Sequence, residues 1–214
     1  MQLYLIRHGQ SYVNLREWDK GNADEPLTKL GVEQAHKLAA WLPGHLPKVD
    51  AIYASTMQRA RQTAQIVSSS YDLTPILDDR LRELGNNRAD HSAYDMDDLP
   101  SEWAEYWGAR PFAPTMVGFD DVETVMHART RVGLFVEEIV DQHRDRDEVI
   151  VAVCHGGVVE CVFAHVFNVG PWSRCEVWDH NTALSHFEYV AAPGKRSVWR
   201  LHYHNRIAHL ADAP

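Results

Sequence analysis

The chain has 214 residues, of which 45% are hydrophobic and 24% are charged. These values are typical of a globular protein and exclude a disordered or fibrous class. The length predicts one α/β domain over residues 1–214, with a core of its own. A formal net charge of −9 disfavours a nucleic-acid partner and attraction to an anionic membrane, so an anionic ligand would need a local cluster of arginines.

The cysteine content indicates the cellular compartment. Cys154, Cys161 and Cys175 are odd in number and lack paired metal-ligand spacing, which argues against a disulfide framework or a zinc ribbon. Met1 is not followed by an uninterrupted signal-peptide core, and no later apolar run is long enough for a bilayer. We therefore expect a cytoplasmic protein with no membrane association.

The first half of the chain alternates buried strands with amphipathic helices. Residues 3–6 (LYLI) read as a strand that ends in Arg7, His8 and Gly9. Thr28 can cap a helix closed by Pro43-Gly44, with an apolar face formed by Leu30, Ala35, Leu38, Ala39 and Leu42. A strand over 49–54 precedes Ser55-Thr56 as a cap and a helix over about 57–69. Arg59 is therefore expected in the first turn of that helix.

The second half continues this alternation after an irregular stretch. Residues 75–77 form a short extended piece before Leu81-Arg82-Glu83-Leu84, and residues 86–118 are aromatic and punctuated by Pro and Gly. A helix is expected over 120–143, with an apolar face formed by Val122, Val125, Ala128, Val132, Phe135, Val136 and Ile139. Residues 148–154 form a buried strand that ends in His155-Gly156-Gly157 and leads into a helix over 158–167. Two further strands are expected over 183–190 and 197–204.

This order predicts an α/β fold: a three-layer α/β/α sandwich with a mainly parallel sheet and an irregular insert, about 86–118, over the active site. Such sheets bind ligands at the carboxyl ends of their strands. His8 and His155 both follow a strand, so we expect them at one edge of the sheet.

The residue types at this edge fit a tetrahedral dianion. Arg7 and Arg59 offer planar guanidinium groups that match phosphate or carboxylate oxygens. The backbone amides at Gly156 favour an anion at a helix N-terminus. His8 can attack phosphorus through a ring nitrogen, and Glu83 is the best-placed carboxylate to protonate a leaving oxygen and later activate water.

Five ordered segments resemble the signature of the histidine phosphatase superfamily, also called the phosphoglycerate-mutase-like family. They are LIRHGQSYVN with the RHG motif, Glu25-Pro26-Leu27-Thr28 with Gly31 and Gln34-Ala35, STMQRARQTA at 55–64, LREL and VCHGG; Asn181-Thr182-Ala183 matches more weakly. The resemblance implies a phosphoglycerate mutase-like fold and no metal or organic cofactor. It implies His8 as the phosphorylated nucleophile, Glu83 as proton donor and a phosphate pocket of Arg7, Asn14, Arg59 and His155.

The sequence departs from this family in two places. Gln10 stands where an acidic residue is common after RHG, and Gly118-Phe119-Asp120-Asp121 stands where a Gly-Glu-Ser segment often precedes the long helix. Structural readings also stay open for two residues, because Asn14 can be a turn or cap residue and Glu83 can belong to a solvated charged turn. Cys154 is expected to be a buried strand residue, because Glu160 stands where a cysteine phosphatase needs an arginine. His202, His204 and His209 are expected on an exposed polar face rather than around a metal.

The resulting prediction is a metal-independent phosphomonoesterase that acts on a small-molecule phosphomonoester. A phosphoglycerate-type mutase using the same phosphohistidine is the alternative, although residues 90–105 hold six acidic residues and no Lys or Arg. A phospholigand-binding module without turnover is the third interpretation. Aromatic residues at 94–112 could anchor the insert or line the pocket, and a homo-oligomer built on the insert tryptophans stays open.

Overall fold

A computed structural model of the protein describes residues 1–18, 24–85, 123–170, 176–192, 194 and 196–211. Within these ranges strands and helices alternate, as the sequence predicts. In chain order they are β1 (Gln2–Arg7), α1 (Lys29–His45), β2 (Ala51–Ser55), α2 (Gln58–Ser68), β3 (Ile76–Asp78), α3 (Val125–His143), β4 (Val149–Cys154), α4 (Gly156–Val166), β5 (Leu184–Val190) and β6 (Val198–Arg206). The insert predicted over 86–118 lies outside the described residues.

The six strands form one sheet in the order β3-β2-β4-β1-β5-β6. Strands β1 to β4 are parallel, whereas β5 is antiparallel to β1 and β6 is antiparallel to β5. Arg7 at the end of β1 pairs with Cys154 at the end of β4. The residues that follow these two central strands therefore start side by side, and the mainly parallel sheet is confirmed.

A separate hydrophobic core lies on each face of the sheet. Leu3 and Leu5 of β1 pack with α3 and α4, whereas Tyr4 and Ile6 pack with α1 and α2. This division follows from the alternation of side chains along a strand. Two helices on each side of the sheet confirm the three-layer α/β/α architecture.

Helix α1 continues through Pro43-Gly44 to His45, so the expected end at this breaker was wrong. Pro43 has no N–H to donate to the carbonyl of Ala39. The Ser70 hydroxyl supplies that hydrogen bond instead, at 2.9 Å. Leu30, expected on the apolar face, is exposed.

Other helix boundaries also differ from the predictions. Helix α3 begins at Val125, because the Thr124 hydroxyl accepts from the His127 amide at 3.3 Å and caps it there. Val125 is consequently exposed, while the rest of the expected apolar face within the described residues is buried. Helix α2 has Met57 as its N-cap, and α4 begins at Gly156. No helix within the described ranges has the length and hydropathy required to cross a bilayer.

Candidate active site

The parallel pairing of β1 and β4 brings His8 and His155 together. Their rings lie 5.0 Å apart between centroids, edge to face, and both side chains are buried. The two histidines therefore lie together at one edge of the sheet, where the sequence predicts them.

His8 has a tautomer set by its two partners. Its Nδ1 lies 2.6 Å from the carbonyl oxygen of Gly9, which can only accept, so Nδ1 carries the proton. The Arg59 Nε–H donates to Nε2 at 3.1 Å, so Nε2 presents its lone pair. Burial, followed by the nearby Arg59 charge, lowers the pKa of His8 well below its usual value. His8 is thus a neutral imidazole with an unprotonated Nε2.

Gly9 allows the turn after β1 to pack against the start of α1. A Cβ on Gly9 would lie 2.5 Å from the carbonyl oxygen of Gly31, too close for any side chain. The Gly9 amide donates to the Thr63 hydroxyl at 3.1 Å, and that hydroxyl donates to the Arg59 carbonyl at 2.8 Å. Thr63 therefore links the RHG turn to the helix that carries Arg59.

Arg59 lies in the first turn of α2, as expected, and is buried. Burial lowers its pKa to about 10, so the guanidinium stays charged at neutral pH. Arg7, at the end of β1, donates through Nη1 to the Asp179 carbonyl oxygen and, at 3.3 Å, to Asp179 Oδ1. Its Nε is buried and has no hydrogen-bond partner among the described residues. Asp179 thus fixes Arg7 while one N–H of the guanidinium is left for a ligand.

His155 contacts Ser55 at the end of β2, with Nε2 2.8 Å from the hydroxyl oxygen. The same hydroxyl accepts from the Met57 amide at 3.2 Å, and its own proton has no acceptor among the described residues other than Nε2. That arrangement places a proton on Nδ1, which is buried and unpartnered within the described part of the chain. Burial and then Arg59 lower the pKa of His155 well below its usual value, so this ring is also neutral.

Glu83 faces the first turn of α4. A Cβ on Gly157 would lie 2.4 Å from Glu83 Oε1 and 1.6 Å from Leu84 Cδ1, so a methyl group there would displace both side chains. Burial raises the pKa of Glu83, while a hydrogen bond from the Leu84 amide and the surrounding arginines oppose that rise. Glu83 is therefore a carboxyl group beside the arginine cluster rather than part of a solvated charged turn.

Asn14 and Gly156 border the same histidine and arginine groups. Asn14 Oδ1 accepts from the Ser11 amide at 3.0 Å and from Asn181 Nδ2 at 3.3 Å, and Asn181 Nδ2 also reaches the His8 carbonyl at 3.0 Å. The Cβ position of Gly156 is 3.7 Å from the Arg7 guanidinium carbon. Asn14 thus reaches the His8 backbone through Asn181, and Gly156 adjoins Arg7 directly.

The sequence reasoning missed several residues that support this arrangement. They are Ser55, Thr63 and Asp179, together with Glu123 and Arg131 beside the Glu83 backbone. Asp179 has a weak signal in the sequence, because it closely precedes the Asn181-Thr182-Ala183 segment. The family often has a Gly-Glu-Ser segment before the long helix, and the sequence alone aligns it with residues 118–121, which lie outside the described residues. In the structure, Glu123 and Thr124 directly precede α3.

Comparison with known proteins places the chain in a family. Residues 3–202 match the sequence model of the histidine phosphatase superfamily (branch 1). The chain belongs to this superfamily. One curated relative is "Probable phosphoglycerate mutase GpmB" of Escherichia coli O1:K1 / APEC. It is 27% identical over 215 residues, which cover 100% of this chain and 96% of the relative. The protein of that name from Yersinia pestis (strain Pestoides F) is 26% identical with the same coverage.

Solved structures of phosphatases and hydrolases share the histidine phosphatase fold. "Mycobacterial hydrolase 1" superposes with a TM-score of 0.74 at 24% identity, covering 96% of this chain and 98% of that one. A phosphoserine phosphatase from Entamoeba histolytica in complex with phosphoserine has a TM-score of 0.70 at 21% identity, covering 98% of each chain. These likenesses show the phosphoglycerate mutase-like fold.

Cys154 and three C-terminal histidines were also singled out from the sequence. Cys154 is a fully buried residue of β4, and burial raises its thiol pKa well above the usual range. His202 is exposed and contacts Glu188, and His204 contacts Ser185. The expected exposed face was wrong for His209, which is buried and contacts the Thr182 hydroxyl. Within the described ranges, no three His, Cys, Asp or Glu side chains converge as metal ligands.

Proposed function

We propose that the protein is a phosphomonoester hydrolase that acts through a phosphohistidine on His8. The observation that carries the proposal is the neutral His8 with its Nε2 lone pair directed at Arg59. A buried imidazole fixed in this tautomer is a nucleophile without a prior proton transfer. The neighbouring guanidinium groups stabilise the charge of the phosphoryl group that it would attack.

In the first step, the Arg59 Nε–H shifts its hydrogen bond from His8 Nε2 to a phosphoryl oxygen of the bound ester. The freed Nε2 lone pair then forms a bond to phosphorus as the bond from phosphorus to the ester oxygen breaks. The leaving oxygen takes a proton from the Glu83 carboxyl group, whose raised pKa favours the protonated form. The free alcohol then departs. His8 is left as a phosphohistidine and Glu83 as a carboxylate.

In the second step, water attacks phosphorus and transfers a proton to the Glu83 carboxylate. The bond from phosphorus to Nε2 breaks and its electron pair returns to the ring. Inorganic phosphate is released and both side chains regain their starting states. One carboxyl group thus serves as acid and then as base.

The pocket neutralises the transferring group from several directions. We assign this role to the Arg7 Nε–H, the Arg59 guanidinium, the His155 Nδ1–H and the Asn14 side-chain amide, whose oxygen is already occupied. The backbone amides at Gly156, in the first turn of an eleven-residue helix, add a favourable dipole.

We propose a small-molecule phosphomonoester as substrate, in the cytoplasm, with no metal needed for the chemistry. The positive charge that the phosphoryl group requires comes from arginine side chains. A phosphoglycerate-type mutase is the second candidate, favoured by the full-length relatives that carry a mutase name. It would use the same phosphohistidine but return the phosphoryl group to another hydroxyl of the retained intermediate.

Phosphate release from a panel of phosphomonoesters and phosphoglycerates tests this proposal. The wild type and His8→Ala are assayed without added metal and with a chelator present. Release by the wild type that vanishes in the variant is the expected result. Interconversion of phosphoglycerates without phosphate release would instead favour the mutase, and release that persists in His8→Ala would overturn the assignment of His8.

A further inference from the structure

A buried arginine of α3 holds the backbone that carries Glu83. The Arg131 Nη1 donates to the carbonyl oxygen of Arg80 at 2.6 Å, and its Nη2 donates to the carbonyl oxygen of Glu83 at 3.3 Å. The Arg131 side chain is 1% exposed. Its contacts on this segment are therefore made away from bulk water.

Glu123 binds both Arg131 and the backbone next to Glu83. Its carboxylate accepts from Arg131 Nε at 2.8 Å and from Nη2 at 2.5 Å, so the pair is bidentate. The same carboxylate accepts from the Gly85 amide at 3.1 Å. One ion pair thus binds three backbone groups, at Arg80, Glu83 and Gly85, which flank and include the proposed acid.

The fit at Gly157 shows how little freedom the Glu83 segment has. Both Glu83 Oε1 and the Leu84 side chain occupy the space that a Cβ on Gly157 would need. A small shift of residues 80–85 would therefore move the carboxyl group relative to the first turn of α4. General acid catalysis requires the acid within hydrogen-bond reach of the oxygen that it protonates.

We propose that Arg131 and Glu123 are positioning residues that fix the Glu83 carboxyl group for proton transfer to the leaving oxygen. The inference rests on the proposed function. It assigns a role in the reaction to a buried ion pair, a type of interaction that by itself is weak evidence for a contribution to stability. The Arg131 charge also counts among those that limit the rise in the pKa of Glu83.

The dependence on the leaving group separates positioning from a merely structural role. An alkyl ester such as glycerol 2-phosphate needs protonation of its leaving oxygen, whereas 2,4-dinitrophenyl phosphate releases 2,4-dinitrophenolate, a stable anion that needs no proton. We expect Arg131→Met to lower kcat/KM about 100-fold for glycerol 2-phosphate and less than about fivefold for the dinitrophenyl ester. Equal losses for both esters would overturn the proposal.

Two further variants control for folding. Arg129→Met removes another arginine of α3, which donates to the Val169 and Gly170 carbonyls and not to the Glu83 segment. It should keep the wild-type ratio between the two esters. The double variant Arg131→Met/Glu123→Leu leaves no unpaired buried charge, so it stays measurable if the single variant fails to fold, and it should show the same selective loss.

Amide hydrogen exchange tests positioning without turnover. Residues 80–85 should exchange faster in the double variant than in the wild type, and at the wild-type rate in Arg129→Met. Unchanged exchange there would overturn the inference even if the wild type is active. A wild type that hydrolyses neither ester, with faster exchange in the variant, would refute the proposed function while leaving the contact of the ion pair with this segment established.

Discussion

The ionisation of single side chains decides what the proposed site can do in each step. Burial keeps His8 neutral and raises the pKa of Glu83, so the nucleophile is unprotonated while the acid can hold a proton. These opposite requirements are met by one effect, because desolvation disfavours the charged form of either group. The Arg59 charge then adds to the effect on His8 and opposes it on Glu83.

The pH dependence of kcat/KM should reflect these two groups. Activity falls as pH rises through the pKa of Glu83, since the first step needs its proton, and falls in acid as His8 becomes protonated. Since the pKa of His8 is lowered, we expect an optimum on the acid side of neutrality. Glu83→Gln should lower kcat/KM for glycerol 2-phosphate about 10²- to 10⁴-fold and abolish the alkaline limb due to Glu83. A variant that keeps this limb would contradict the assignment.

Ser55 should matter through the tautomer of His155. Ser55→Ala removes the hydroxyl that contacts Nε2, and the loss of one such hydrogen bond costs about 1 kcal/mol. We expect the Kd for orthovanadate, measured by calorimetry, to rise about fivefold. Ser68→Ala, which removes a buried hydroxyl bonded within α2, serves as the control. Equal affinities in wild type and Ser55→Ala would argue against this role.

Helix α4 connects the sheet to the site, because its N-cap is His155 and its first turn meets both Arg7 and Glu83. The two glycines serve different purposes. A Cβ on Gly156 would make a tight contact of 3.3 Å with Asp179 Oδ1, whereas a Cβ on Gly157 would overlap the Leu84 and Glu83 side chains. The start of this helix therefore depends on the position of residues 83 and 84.

Gly157→Ala should displace the Glu83 segment and lower kcat for glycerol 2-phosphate by at least about 10-fold. Inorganic phosphate should still bind through the arginines and histidines. Gly44→Ala is the matched control, since a Cβ there meets no atom within 4 Å and alanine favours a helix. Wild-type kcat in a folded Gly157→Ala protein would refute the need for glycine at this position.

The protein as a whole depends on neutral histidines for its stability. The pKa values of His8, His45, His127, His155, His186 and His209 are all lowered by burial. Those of His186 and His209 fall to about 4. Because the unfolded chain binds these protons near pH 6.5, the stability present at neutral pH is lost as pH falls from about 6.5 towards 4. Raised pKa values of Glu83, Glu160 and Asp179 oppose this trend in part.

We therefore expect a lower free energy of unfolding at about pH 5 than at neutral pH. Urea unfolding measures the difference. His186→Phe should reduce it, since His186 stacks between Tyr4 and His202 and a phenyl ring can keep those contacts without titrating. A free energy of unfolding that is equal or greater at pH 5, or that changes equally with pH in His186→Phe, would contradict this explanation.

Much of the fold could be predicted from local patterns. The continuous apolar run at residues 3–6 predicts a buried strand, and the structure has one core on each side of it. Helix ends were less predictable because they depend on distant groups. The Ser70 hydroxyl, outside α1, lets that helix continue through Pro43.

The site could be predicted where it depends on strand order, and not where it depends on side-chain contacts. His8 and His155 follow adjacent parallel strands, so their meeting follows from topology. The contacts of His155 with Ser55 and of Arg7 with Asp179 join residues far apart in the sequence, at atoms that no local pattern specifies. Arg131 was hidden for a related reason, because a charged residue on a buried helix face has no periodic signal.

The most direct test of the central claim is detection of the phosphohistidine on His8. The wild type and Glu83→Gln are mixed with 2,4-dinitrophenyl phosphate, whose leaving group needs no proton from Glu83. The reaction is quenched in base, in which a phosphoramidate survives, and analysed by peptide mass spectrometry. We predict one added phosphoryl group on the peptide containing His8, with more in Glu83→Gln because that variant lacks the base for the second step. A phosphoryl group on another residue, or turnover with none on His8 in either protein, would contradict the proposed mechanism.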